Sequence, residues 1–185
     1  MAEEKLIDGL TGGGHQFDGG PFALDLYRLL AMVLSDQRIA GLGDERDAHV
    51  PSVWELQNRF CKAEILRILI SSAVALRVLL DQDQRQVRHL RKQQCGSLWA
   101  SWPKDRRKPG VLTLREACNK IIHSEDIRHD EVIPDRRYNP DEVGSYIRPF
   151  MYLYGTRRSV DWRAKLSIVE FAKLGTYVFL RWMPQ

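Results

Sequence analysis

At 185 residues, of which 44% are hydrophobic, the chain is long enough for one domain with a real core and too apolar for wholesale disorder. Lys and Arg number 28 against 24 Asp and Glu, a net charge of +4, and the three cysteines (Cys61, Cys95, Cys118) form no CxxC pair, which excludes a disulfide scaffold and a thiol-based zinc site. The acidic start MAEEKLIDGL is unlike a secretory signal and no run approaches the ~20 apolar residues of a membrane span, so a soluble cytoplasmic protein with no membrane partner is expected.

Residues 1–20, with Gly12-Gly13-Gly14 and Gly19-Gly20, carry too little hydrophobic periodicity to offset their backbone entropy and read as a flexible arm. The rest, 21–185, reads as a single α-rich domain. Phe22, Leu26, Leu29, Leu30, Val33 and Leu34 fall at helical spacing behind Pro21, which suits a first turn, and Gly41 and Gly43 follow the end. A capping box, Ser52 to Glu55, opens a second helix that is apolar on most faces between Ile65 and Leu80 and so predicts a central helix. Within it Arg67 and Arg77 call for local partners, Glu64 and Asp81 being in reach. Beyond Asp81 only Val87 and Leu90 are core candidates. Residues 95–111, broken by Gly96, Pro103, Pro109 and Gly110, read as a loop.

Thr113-Leu114-Arg115-Glu116 is a second capping box, with Leu112 and Ala117 as its hydrophobic staple, and opens a short third helix to about His123 or Ser124. The stretch after Asp126 is polar and turn-rich, with one capped helical turn expected at Asn139 to Glu142. Tyr146 to Tyr154, a turn at Gly155 to Ser159, and the alternation of Trp162, Ala164, Leu166 and Ile168 with Arg163, Lys165 and Ser167 predict a β-hairpin with one buried face. Ser167 to Glu170 caps a last helix to about Trp182. The expected fold is therefore mainly α, a helical bundle around a long central helix with a C-terminal β-hairpin and final helix in residues 145–183.

The charge is uneven. Residues 85–108 carry eight basic side chains (Arg85, Arg88, Arg91, Lys92, Lys104, Arg106, Arg107, Lys108) against Asp105 alone, a local +7, and the remainder of the chain sums to −3. Trp99 and Trp102 lie inside this segment. Clustered cations attract phosphate by counterion release and exposed aromatics stack on unpaired bases, which makes Arg88, Arg91, Lys92, Trp99, Trp102, Lys104, Arg106, Arg107 and Lys108 candidate nucleic-acid contacts. A solvated basic loop whose tryptophans fold back onto the core is the alternative. The tyrosines of 146–154, near Arg157 and Arg158, offer a second surface, and a protein partner docked on the aromatic hairpin through these tyrosines or Trp162 is the competing function class.

On the third helix, at about 100° per residue, Arg115, Asn119 and His123 share a stripe turned from the apolar side formed by Leu114, Ala117, Cys118, Ile121 and Ile122. An imidazole titrates near neutrality, a guanidinium stabilises phosphate charge and an amide orients either, so the three form a candidate catalytic set. Cys61 and Cys118 read as core fillers and Cys95 as more exposed. His123, Asp126, His129 and Asp130 offer ligand atoms at close spacing but nothing makes them converge, and no Walker A loop, GxGxxG or GxSxG occurs, so neither a metal nor a cofactor is expected.

A long apolar helix followed by a shorter one carrying N-x-x-x-H, Asn119 to His123, resembles the HEPN superfamily over residues 21–125. The resemblance implies a helical domain that binds or cleaves RNA without a metal, in bacterial defence or toxin–antitoxin systems, as a homodimer joining two copies of the third helix. The family signature is R-x(4–6)-H; here seven residues separate Arg115 from His123, and Glu116, Ala117 and Cys118 stand where the family places its Arg. The resemblance assigns acid–base work to His123, phosphate positioning to Asn119 and phosphorane stabilisation to the shifted Arg115.

Overall fold

The structure, a computed structural model, describes residues 17–42, 53–82, 89–106, 108–133 and 144–182. Helix α1 (Gly20–Ala40) starts on Pro21 in its first turn and buries Leu26, Leu29 and Val33. Helix α2 (Val53–Gln82) is the long central element, with Ile65, Ile68, Leu69, Ala73, Leu76 and Leu80 fully buried. The capping residue Ser52 lies outside the described residues. Arg67 pairs with Glu64 at 2.7 Å and with Asp25 of α1 at 3.2 Å, and Arg77 pairs with Asp81, the local pairing that the sequence implied.

After a single 3-10 turn (Leu90–Lys92), whose Leu90 is buried, the chain enters strand β1 (Gln94–Trp99) and then β2 (Gly110–Thr113). Helix α3 (Leu114–Ile122) follows, capped as anticipated by Thr113, whose hydroxyl accepts from the Glu116 amide at 3.4 Å. Strands β3 (Asp126–Val132), β4 (Tyr146–Arg157) and β5 (Val160–Ser167) come next. Helix α4 (Ile168–Leu180) closes the chain, with the Ser167 hydroxyl accepting from Glu170 N at 3.3 Å. The turn expected at Asn139 to Glu142 falls outside the described residues.

The five strands form one antiparallel sheet in the order β2-β1-β5-β4-β3. The mainly α, all-helical reading is therefore corrected to a mixed α and β fold: helices cover one face of a five-stranded sheet. Three strands, β1, β2 and β3, lie where the sequence predicts loop, cap or turn. Gly96, taken as a helix and strand breaker, lies inside β1 because a Cβ there would collide with the Lys165 carbonyl of β5; Pro103 and Pro109 fall in the connection after β1, where no ladder amide is needed. β3 reads as polar because it is an edge strand, of which only alternate residues such as Ile127 face the helices.

One core unites both layers. Leu112, Met151, Leu153, Trp162, Ala164 and Leu166 from the sheet pack with Leu26, Leu76, Ala117, Cys118, Phe171 and Phe179 from the helices. Phe17 stacks on Phe22 at 5.4 Å, and the Gly19 amide donates to the Trp182 carbonyl at 3.0 Å, which ties the entry of α1 to the end of α4. A buried carboxylate joins the layers: Asp36 Oδ2, on α1, accepts the Ile147 amide of β4 at 2.6 Å, and its Oδ1 lies 3.4 Å from Cys61 Sγ, where it raises the thiol together with burial to about 12. Cys95 is buried rather than exposed, because the bulge-side residue of β1 turns inward, and burial pushes its thiol up to about 12. No helix among the described residues is long and apolar enough to cross a membrane.

Candidate nucleic-acid interface

Strand alternation places Trp162, Ala164 and Leu166 of β5 under the helices and therefore turns Arg163 and Lys165 to the opposite, uncovered face. The register then assembles two cross-strand rows. One runs Trp99, Arg163, Tyr154, Asp126, and the other runs Ser97, Lys165, Tyr152, Arg128. Cations and rings thus alternate along the rows, except at the carboxylate of Asp126 and the hydroxyl of Ser97 at their ends.

Arg163 is the hub. Its guanidinium carbon lies 4.5 Å from the Tyr152 ring centroid, 4.6 Å from Trp102, 5.2 Å from Trp99 and 5.8 Å from Tyr154, and its Nε has no hydrogen-bond partner. Lys165 Nζ lies 4.2 Å over Phe150 and 5.7 Å from Tyr152, and Arg128 sits 5.0 Å from Tyr154. Trp102, carried on the β1–β2 connection, is held by its amide to the Asp161 carbonyl at 2.9 Å, with Arg106 5.3 Å from its ring; Trp99 Nε1 donates to the Arg106 carbonyl at 3.1 Å. The tryptophans accordingly neither fold onto the core nor stand free. They frame the uncovered face with half-buried rings.

Of the basic segment, Lys92, Lys104, Arg106 and Lys108 are exposed, the last three on the β1–β2 connection, where Arg106 meets the Trp102 ring. Arg88 and Arg107 lie outside the described residues. Arg91 departs from the expectation: it turns inward, 3.9 Å from Asp81, because the 3-10 turn directs it at the end of α2.

The α3 stripe divides in two. Arg115 leaves it for α2, where its Nε donates to Asp81 Oδ1 at 3.1 Å, and Asn119 Oδ1 accepts from Arg77 Nε at 2.7 Å. Asn119 and the exposed His123 remain together in a cleft of about 640 Å³, lined also by Glu116, Lys120, Ser124, Thr156, Arg157 and Trp162. Lys120 is 8% exposed; its ammonium lies 4.0 Å over the Trp162 ring and 3.6 Å from Glu116. Burial holds this lysine below its ordinary range, with Glu116 opposing. Lys120 and Arg157, absent from the sequence-derived set, thus supply the cleft's cations in place of Arg115. A smaller recess of about 270 Å³ shares Thr156 and Trp162 with the cleft and adds Trp102 and Tyr154, so the cleft opens at the rim of the aromatic face.

The sheet-face residues Arg163, Lys165, Tyr152, Tyr154 and Arg128 were missed as a set. Their outward parity in β5 was legible, but the pairing that brings Trp99 beside Arg163 was not. Trp162 is 3% exposed and belongs to the core, so the hairpin cannot dock a partner through it. His123, Asp126, His129 and Asp130 do not converge, and the described residues contain no group of three or more His, Cys, Asp or Glu able to hold a metal ion. Comparison of the chain with protein-family models, curated proteins and solved structures returned no match.

Proposed function

We propose that this protein binds single-stranded RNA across the uncovered face of its sheet. The observation that carries the reading is Arg163 ringed by Trp99, Trp102, Tyr152 and Tyr154, with Lys165 and Arg128 in the next row. Single strands splay their bases, rings on a sheet stack with them, and interleaved cations meet the phosphates; a duplex hides its bases and fits this surface poorly. Fluorescence anisotropy with a labelled single-stranded oligoribonucleotide tests it. Binding should be tighter than to the matching duplex, weaken with salt, and fall by roughly fivefold or more for Tyr152→Ala, since each stacked base contributes about 1–3 kcal/mol. Absence of binding, or indifference to both Tyr152→Ala and Trp99→Ala, refutes the reading.

Cleavage of bound RNA is a second reading, favoured by the exposed His123 beside Asn119 at the rim of the same face. In it His123 exchanges the proton of the 2′-hydroxyl or leaving oxygen, Asn119 positions the phosphate, and Lys120 and Arg157 take the charge-stabilising role first assigned to Arg115. Incubation with RNA in EDTA, wild type against His123→Ala, decides it, with light scattering reporting whether the active species is the homodimer that the HEPN resemblance implies.

A further inference from the structure

On the helical layer, away from the sheet face, three guanidiniums from three separate segments converge on one carboxylate. Arg77 of α2 pairs with Asp81, Arg115 of α3 donates to its Oδ1 at 3.1 Å, and Arg91 of the 3-10 turn approaches to 3.9 Å. Another acid near the group, Glu116, is engaged by Lys120 at 3.6 Å. Among the described residues, counting Lys120 and Glu116, the group holds four cations and two anions. The C-terminal end of α2 adds only about half a negative charge.

The donors are undersupplied as well. Arg91 Nε and Nη2 are buried without a hydrogen-bond partner, whereas Arg77 pairs its Nη1 with Asp81 and gives its Nε to Asn119 Oδ1 at 2.7 Å, and Arg115 spends its Nε on Asp81 from a side chain 41% exposed. Like charges are gathered here, and burial together with the neighbouring Arg115 and Arg91 disfavours the charged form of Arg77. Planar guanidinium forks gathered on a single carboxylate match the tetrahedral oxygens of a phosphoryl group, which guanidiniums bind bidentately.

We propose that Arg77, Arg91 and Arg115 form a phosphoryl-binding site in which Asp81 holds the guanidiniums in place until the ligand arrives. The proposal does not rest on the RNA reading, since none of these residues lies on the sheet face.

Calorimetric titration of the full chain with inorganic phosphate, at ionic strength fixed with chloride, tests it. Saturable binding is expected, weakened about tenfold or more by Arg91→Gln, as loss of a charge-assisted contact implies. Asp81→Asn, which removes the internal competitor, should tighten phosphate binding; a purely structural cluster would instead lose stability and gain no affinity. Circular dichroism confirms that each variant is folded. No saturable binding, or equal binding by wild type and folded Arg91→Gln, overturns the site. An oligoribonucleotide that displaces the phosphate makes a nucleic-acid phosphate the source, and one that does not makes it a small phosphorylated compound; Arg163→Gln, which disables the sheet face alone, should leave phosphate binding unchanged in either case.

Discussion

Gly155 offers the sharpest test of how the two surfaces are joined. It lies within β4 opposite Trp162, and a Cβ built there would stand 2.6 Å from Trp162 Cζ2, 2.9 Å from its Cε2 and 3.2 Å from the His123 carbonyl. Carbon atoms pack at about 3.5–4.0 Å, so Gly155→Ala must drive the indole back by about 1 Å. Trp162 is 3% exposed and has Lys120 on its ring, so the movement is felt in a packed core; overpacking of this kind costs about 1–3 kcal/mol. Without the clash the sign reverses: Gly155 has ordinary backbone angles, and removing a glycine from the unfolded ensemble stabilises by up to ~1 kcal/mol. Urea denaturation followed by tryptophan emission reads the sign directly. Trp162→Phe, which removes the closest atom, Cζ2, should recover part of the loss in the double variant, a positive coupling in a double-mutant cycle. A Gly155→Ala protein as stable as wild type or more so would refute the packing described for both recesses.

Asp36→Ala leaves the buried Ile147 amide without an acceptor and should cost about 2–3 kcal/mol by denaturation, whereas Asp36→Asn, which keeps an acceptor, should cost less. The β4–β5 turn holds Arg158 at φ 50° and Ser159 at φ 61°, a left-handed pair suited to Asn-Gly; the double substitution Arg158→Asn, Ser159→Gly should stabilise by about 1–2 kcal/mol, seen as a higher Tm. Burial, aided by the Lys62 charge, holds His129 below its ordinary value of 6.5. The unfolded chain therefore binds the proton first on acidification, and stability should fall as pH drops below about 6.5 toward the folded value; His129→Gln should flatten that part of the stability–pH profile, and an unchanged slope would refute it.

The helices were legible because their signals are local. Thr113 and Ser167 each announce a cap within three residues, and the alternation from Trp162 to Leu166 is strict enough to assign a buried face from sequence. β1 and β3 were not legible. Each is marginal taken alone, one holding a glycine and the other mostly polar, and becomes a strand only through partners distant in the chain, Leu166 for Gly96 and Leu153 for Ile127. The same nonlocality split the candidate site. Helical spacing places Asn119 near His123, and both line one cleft, but it could not reveal that Asp81, 34 residues before Arg115, draws that arginine away. Nor could it reveal Arg163 among rings from three other segments, because a cross-strand neighbour has no fixed offset in sequence.

The strand order has a consequence for when this surface comes into being. β5 occupies the middle of the sheet although it is the last strand made, and it carries both Arg163 and Lys165. Until residues 160–167 are synthesised, β1–β2 and β3–β4 are two separate ribbons with no shared edge, and Trp99 has neither Arg163 beside it nor Tyr154 beyond. A chain still growing on the ribosome thus lacks the completed face; insertion of one late strand both closes the sheet and assembles the platform, so that any ligand of this face, the proposed RNA included, meets it only in the finished fold.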